Sequence, residues 1–125
     1  MKLLLDTHVL LWAVSDPTRL APRALAMIDA AEETFVSSVS LWELAIKVAQ
    51  GKIALDLPRL HEQTLDAGYR LLPVTAVHAL AVGGLPLLHR DPFDRMLIAQ
   101  AVSEPMHLLT RDAMLARYPA SVTLV

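Results

Sequence analysis

Apolar residues fall into two rhythms along this chain. Short continuous apolar runs alternate with longer stretches in which polar residues return every three or four positions. The short runs at Lys2–Leu5, Phe35–Ser37, Leu71–Val74, His107–Thr110 and Val122–Leu124 predict strands. The longer stretches predict helices over Thr7–Val14, Pro22 to about Glu33, Ser40 to about Gln50, Pro58–Ala67, about Ala76–Val82 and Pro92–Ser103, with a short one at Ala113–Arg117. Local punctuation agrees. Ser15-Asp16-Pro17-Thr18 is a turn, Pro22 and Pro92 suit a first helical turn, and Gly51 and Gly68 suit helix ends. Strands alternating with helices predict an α/β fold with a parallel sheet joined by right-handed crossovers.

Composition sharpens this picture. The chain has 125 residues, enough for a single domain over 1–125 with one core. Apolar residues make up 54% and charged ones 19%, which fits a sheet covered by helices on both faces or a face that docks on a partner. The net charge of −2 announces no nucleic-acid binder, so any attraction for phosphate must be local or supplied by metal. With no cysteine there is no disulfide, thiolate catalysis or zinc–thiolate site. Asp6 and His8 interrupt the apolar start of the chain, so it does not read as a signal peptide. Leu71–Leu88 lacks Asp, Glu, Lys and Arg, but Pro73, His78, Gly83-Gly84 and Pro86 break it. It reads as a strand, a buried helix and a turn, and no membrane association is expected. A soluble, cytoplasmic protein is the expectation.

Four acids recur where chemistry is done in such folds. Asp6 ends the first strand, Glu43 sits on a helix, Asp94 stands near a helix start, and Asp112 follows the fourth strand. Each has an ordinary reading. Asp6 and Asp112 suit helix caps, Asp91 caps the helix that Pro92 opens, and Asp94 faces the positive end of that helix dipole. Glu43 belongs to a narrow polar stripe, Ser40-Glu43-Lys47-Gln50, on an otherwise apolar helix. The stripe faces either solvent, as an exposed Glu43–Lys47 pair, or a polar cleft.

Their combination points elsewhere. Asp6 and Asp112 lie at the carboxyl ends of parallel strands, the edge where such sheets bind ligands. Four carboxylates gathered there cannot all ionise cheaply without a cation. Mg²⁺ or Mn²⁺ suits them, because hard ions take carboxylates, water and substrate phosphate. Acid-and-metal chemistry on phosphates is therefore the reading that the residues themselves support.

Four blocks carry a resemblance: Leu5-Asp6-Thr7-His8-Val9-Leu10-Leu11-Trp12, Ser37-Ser38-Val39-Ser40-Leu41-Trp42-Glu43, Asp91-Pro92-Phe93-Asp94-Arg95 with Leu97-Ile98-Ala99-Gln100-Ala101, and Leu109-Thr110-Arg111-Asp112. In order and spacing they resemble the PIN-domain family, in particular the VapC-like toxins of type II toxin–antitoxin modules, across essentially the whole chain. The resemblance implies a three-layer α/β/α sandwich around a short parallel sheet. It implies an Mg²⁺- or Mn²⁺-dependent endoribonuclease whose acids match Asp6, Glu43, Asp94 and Asp112. Asp6, Asp94 and Asp112 would hold the metal, and Glu43 would complete the cluster. An RNA substrate, a cognate antitoxin and a homodimer follow as expectations. His8 stands where many of these sequences carry a small polar residue, so no metal role is assigned to it.

Other residues are read more plainly. The five histidines have no zinc-site spacing, and His8 and His89 alone fall near the expected site. Arg95 is expected to pair with Asp91 or Asp94, while Arg111 is divided between pairing with an acid and touching RNA phosphate. Thr7, Ser38 and Thr110 are equally suited to capping and to hydrogen-bonding a carboxylate. Trp12 and Trp42 are expected first in buried packing, with an antitoxin or dimer surface as the alternative. Two α/β rivals, a phospho-acceptor domain and a haloacid-dehalogenase-like phosphatase, each want a second acid beside Asp6, and Thr7-His8 stand there instead. A PIN module without catalysis is the rival from another class.

Overall fold

The computed structural model describes residues 1–125. Its strands are β1 (Lys2–Leu5), β2 (Glu33–Ser37), β3 (Arg70–Leu72), β4 (His107–Thr110) and β5 (Val122–Leu124). Its helices are α1 (Thr7–Ser15), α2 (Pro22–Ala30), α3 (Ser38–Ala49), α4 (Leu57–Asp66), α5 (Ala76–Val82) and α6 (Pro92–Ser103). The strands form one sheet in the order β3-β2-β1-β4-β5, with every pair parallel. Chain order reverses direction between β1 and β4, and at such a point the crevice beyond the strand ends is open to a ligand.

β1 is the central strand, and its alternation builds two cores. Leu4 packs with Phe35, Val39, Leu97, Ile98 and Leu108 on one face. Leu3 and Leu5 pack with Val9, Leu10, Ala24, Val36 and Leu109 on the other. Successive side chains point to opposite faces of a strand, so a strand buried on both sides needs apolar residues in succession. The expected α/β/α layering is what the helices supply: α1 and α2 cover one face, and α6 with the start of α3 covers the other.

Several boundaries differ from the sequence reading for local reasons. α2 ends at Ala30 and not near Glu33, because Glu33 pairs with Lys2 and so opens β2. α3 starts at Ser38 and not Ser40, since Ser37 is both the last strand residue and the cap that accepts from Val39 N at 3.0 Å. α4 likewise starts one residue earlier, at Leu57 behind its Asp56 cap, and ends at Asp66. β3 stops at Leu72 because Pro73 has no N–H for a ladder. Ala113–Arg117 forms only a single 3₁₀ turn at Leu115–Arg117.

The largest departure is α5, which is not the buried helix that its composition suggests. His78 is its one buried residue; Val77 and Leu80 are 65% and 80% exposed, and Leu87 beyond it is 88% exposed. Polar contacts hold the helix instead. His78 Nε2 lies 2.6 Å from Glu104 Oε2 at the end of α6, and its Nδ1 accepts from Thr75 N in a capping box. No helix is long and apolar enough to cross a membrane.

Leu4 is completely buried at the centre of the sheet. Leu4→Ala is expected to lower unfolding free energy by about 2–5 kcal/mol, the range for emptying such a site. Urea unfolding followed by circular dichroism measures it.

Candidate active site

The four acids arrive from four different elements. Asp6 directly follows β1 and caps α1, its Oδ1 accepting from Val9 N at 2.8 Å. Its Oδ2 accepts from Thr110 Oγ1 on β4 and from Arg111 N at 3.3 Å. Capping and site membership, set against each other in the sequence, are therefore the same geometry. With about four acceptor positions on a carboxylate, three used here leave one free. Burial raises the Asp6 pKa, and these hydrogen bonds pull against it.

Glu43 is buried on α3, so its stripe faces a cleft and not solvent. Lys47 Nζ is 3.1 Å from its Oε2. Thr7 Oγ1 lies 2.7 Å from Glu43 Oε1 and 3.0 Å from Ser40 Oγ. Having one proton, Thr7 gives it to the carboxylate, which carries the charge. Ser40 is thus a support that sequence reading missed, while Ser38 points away to accept from Val74 N.

Asp94 enters from the first turn of α6, which Asp91 caps through Phe93 N and Asp94 N. Burial is the largest cause raising its pKa to about 7, followed by the charges of Asp91 and Glu43. Asp112 sits beyond β4, with Oδ1 accepting from Met114 N at 2.9 Å. Burial acts to raise its pKa too, but hydrogen bonds from His89 and Met114 N bring it below the usual carboxylate range.

Asp6, Glu43, Asp94 and Asp112 all line one cleft of about 440 Å³, together with Asp91, Thr7, His8, Lys47, Arg111 and Ala113. The tightest donor cluster is His89, Asp94 and Asp112, whose nearest ligand atoms lie within 4.8 Å of one another. Asp6 and Glu43 share the cleft outside that trio. Five carboxylates thus face one space against the fixed cations of Lys47 and Arg111. The oxygen donors and this excess negative charge fit a hard divalent cation.

Three neighbouring side chains differ from expectation. Arg95 pairs with no acid: it is buried and donates to Pro86 O, Val82 O and Tyr118 Oη. The fixed fork of a guanidinium matches these three oxygens. Trp42 is 61% exposed and meets Phe93 edge-on. Trp12 is half-buried, with the Arg19 and Arg111 guanidiniums 4.7 and 4.5 Å from its ring centroid. Arg111 is thereby held at the cleft by an aromatic face, pairing with no carboxylate. Tyr118 was not singled out in the sequence, where a tyrosine near the end of a chain carries no signal.

The PIN-domain profile matches residues 3–121. The chain belongs to the PIN-domain family. It is 36% identical to Ribonuclease VapC22 of Mycobacterium tuberculosis, over 97% of this chain and 96% of that one. Among solved structures it resembles VapBC2 from Rickettsia felis bound to a promoter DNA fragment, with a TM-score of 0.72, 18% identity, and coverage of 99% of this chain and 98% of that one. DNA-bound VapBC from Salmonella typhimurium gives a TM-score of 0.70 at 16% identity, covering 98% and 97%. A toxin–antitoxin complex from Klebsiella pneumoniae gives 0.64 at 16%, covering 96% and 94%. Membership of this family sets aside the phospho-acceptor and phosphatase readings.

The raised pKa of Asp94 has a measurable consequence without metal. Folding makes its ionisation harder, so stability falls as pH rises from 3.8 towards about 7, and the loss is complete above that. In chelator, Asp94→Asn is expected to match wild type near pH 4 and to exceed it at pH 8. The gain has a ceiling of about 4 kcal/mol, lowered by water in the cleft. Denaturant unfolding at the two pH values measures the difference.

Proposed function

We propose that this VapC-like PIN domain is a metal-dependent endoribonuclease and the toxin of a toxin–antitoxin pair. The observation carrying this reading is the convergence of Asp6, Glu43, Asp94 and Asp112 on one cleft, in a chain 36% identical to a ribonuclease over almost its full length. Asp6, Asp94 and Asp112 are the residues that would hold Mg²⁺ or Mn²⁺. Such an ion, when bound, acidifies water and offsets charge at a phosphodiester.

The chain's own groups define the rest. Glu43, fixed between Thr7 and Lys47, offers a carboxylate at a set position to orient water or complete the ligand set. Arg111, resting on Trp12, supplies a cation at one rim of the cleft, and Arg19 against the same ring extends it. At the other rim Lys47 leads into a second hollow that also holds Lys52 and Arg90. Cations flanking an acidic centre on both sides suit a strand whose phosphates pass across it.

Two partners belong to this reading. An antitoxin is supported by the toxin–antitoxin complexes that share the fold. A second copy of the chain is supported by the exposed apolar pair Val77 and Leu80, three positions apart on α5. Leu80→Asp is expected to leave the fold intact and convert a dimer to monomer in sedimentation velocity; an unchanged dimer would move the interface elsewhere.

The catalytic reading is tested with RNA and purified protein. Asp6→Asn is expected to abolish Mg²⁺- or Mn²⁺-dependent cleavage and to relieve growth arrest. Arg111→Ala should raise KM several-fold with a smaller effect on kcat. Full cleavage by a well-folded Asp6→Asn protein would sink the assignment. Turnover of a small phosphate ester in place of RNA would redirect it.

A further inference from the structure

The cleft's tightest cluster contains a histidine, and its hydrogen bonds decide what that histidine can do. His89 Nε2 lies 2.8 Å from Asp112 Oδ2 and 3.3 Å from Asp94 Oδ2. By proximity alone the ring could be a third metal ligand alongside the two carboxylates. Its other nitrogen argues against that. His89 Nδ1 is 3.0 Å from Asp91 N, and the amide hydrogen points at it. A backbone N–H is always a donor, so Nδ1 must present its lone pair. The ring proton therefore sits on Nε2, directed at Asp112. A nitrogen carrying a proton has no lone pair for a metal.

The backbone of His89 is also held. His89 N donates to Tyr118 Oη at 2.9 Å, and that hydroxyl also accepts from Arg95 Nη1 at 3.1 Å. Arg95 in turn is anchored by Pro86 O and Val82 O. An imidazole flip would aim Nδ1 away from Asp91 N and leave that amide unpaired, at about 1–3 kcal/mol. The tautomer and the orientation are thus fixed by backbone, not by the acids.

We propose that His89 is a positioning residue that donates from Nε2 to Asp112, with Asp94 Oδ2 beside the same proton, and is not itself a metal ligand. Resting on the metal-dependent reading of the cleft, it assigns His89 the task of presenting two carboxylates from different elements in one arrangement. Asp94 rides on α6 and Asp112 on the turn after β4, and no other side chain hydrogen-bonds or ion-pairs with both. Arg95 and Tyr118 then act at one remove, as the brace for His89. Hydrogen bonds to ligating carboxylates commonly set metal affinity by about 10–100-fold.

Two measurements test this on the full chain. The first is nitrogen-15 NMR of the imidazoles in wild type, without metal and with saturating Mg²⁺. Nε2 should be protonated and Nδ1 unprotonated in both states. Loss of the Nε2 proton on adding Mg²⁺ would make His89 a ligand and overturn the proposal. The second is Mn²⁺ titration by calorimetry. His89→Ala is expected to weaken binding at least about tenfold, and His89→Gln, whose amide N–H reaches the position of Nε2, should recover most of it. Equal affinity in wild type and His89→Ala would refute the positioning role alone. Absence of Mn²⁺ binding to wild type would instead remove the metal-dependent reading, and this proposal with it. Should His89→Ala fail to fold, the NMR result and the His89→Gln affinity still decide.

Discussion

Asp6 is a carboxylate buried at the end of the central strand, and burying it requires hydrogen-bond donors from the helix that follows and from the neighbouring strand's end. Val9 N comes from the helix that Asp6 itself starts, and Thr110 Oγ1 and Arg111 N come from the end of β4. A buried charge left without donors would cost several kcal/mol. The β1–β4 pairing is thereby tied to the cleft's chemistry, since Leu5 must lie opposite Leu109 for Thr110 to reach Asp6. Once that register holds, β4 delivers Asp112 to the same edge, and the reversal of strand order leaves the crevice between them open.

The remaining acids extend the same problem and its solution. Each is brought in with a partner that limits repulsion: Lys47 and Thr7 for Glu43, the donors around His89 and Met114 for Asp112. For Asp94 burial, and after it the charges of Asp91 and Glu43, outweigh the help from His89 and raise its pKa to about 7. A structure that strains one carboxylate this way is poised for a cation. That is the physical link between the fold's strand order and a metal-dependent function for the family.

Much of this was legible along the chain. The alternation of leucine-rich runs with helical stretches led to the parallel sheet, and acids at strand ends led to the cleft. Ser37 shows how the reading slipped: strand and cap are one residue, so no loop marks the boundary. α5 shows a deeper limit. Its apolar sequence suggested burial, yet a surface that awaits a partner and a buried core carry the same composition. Arg95 was read by its neighbours in sequence, but side chains one position apart on a helix face different directions, so Asp94 and Arg95 do not meet.

By itself the sequence determined the alternation of strands with helices and the identity of the four acids, because periodicity and residue type are local properties. The tertiary structure alone decided that Thr110 bonds Asp6, that Arg111 rests on Trp12, and that His89 bridges Asp94 and Asp112 through a proton placed by Asp91 N. Those contacts join residues brought together by sheet register and helix packing. Directions and distances set by long-range folding leave no mark on the spacing of residues along a chain.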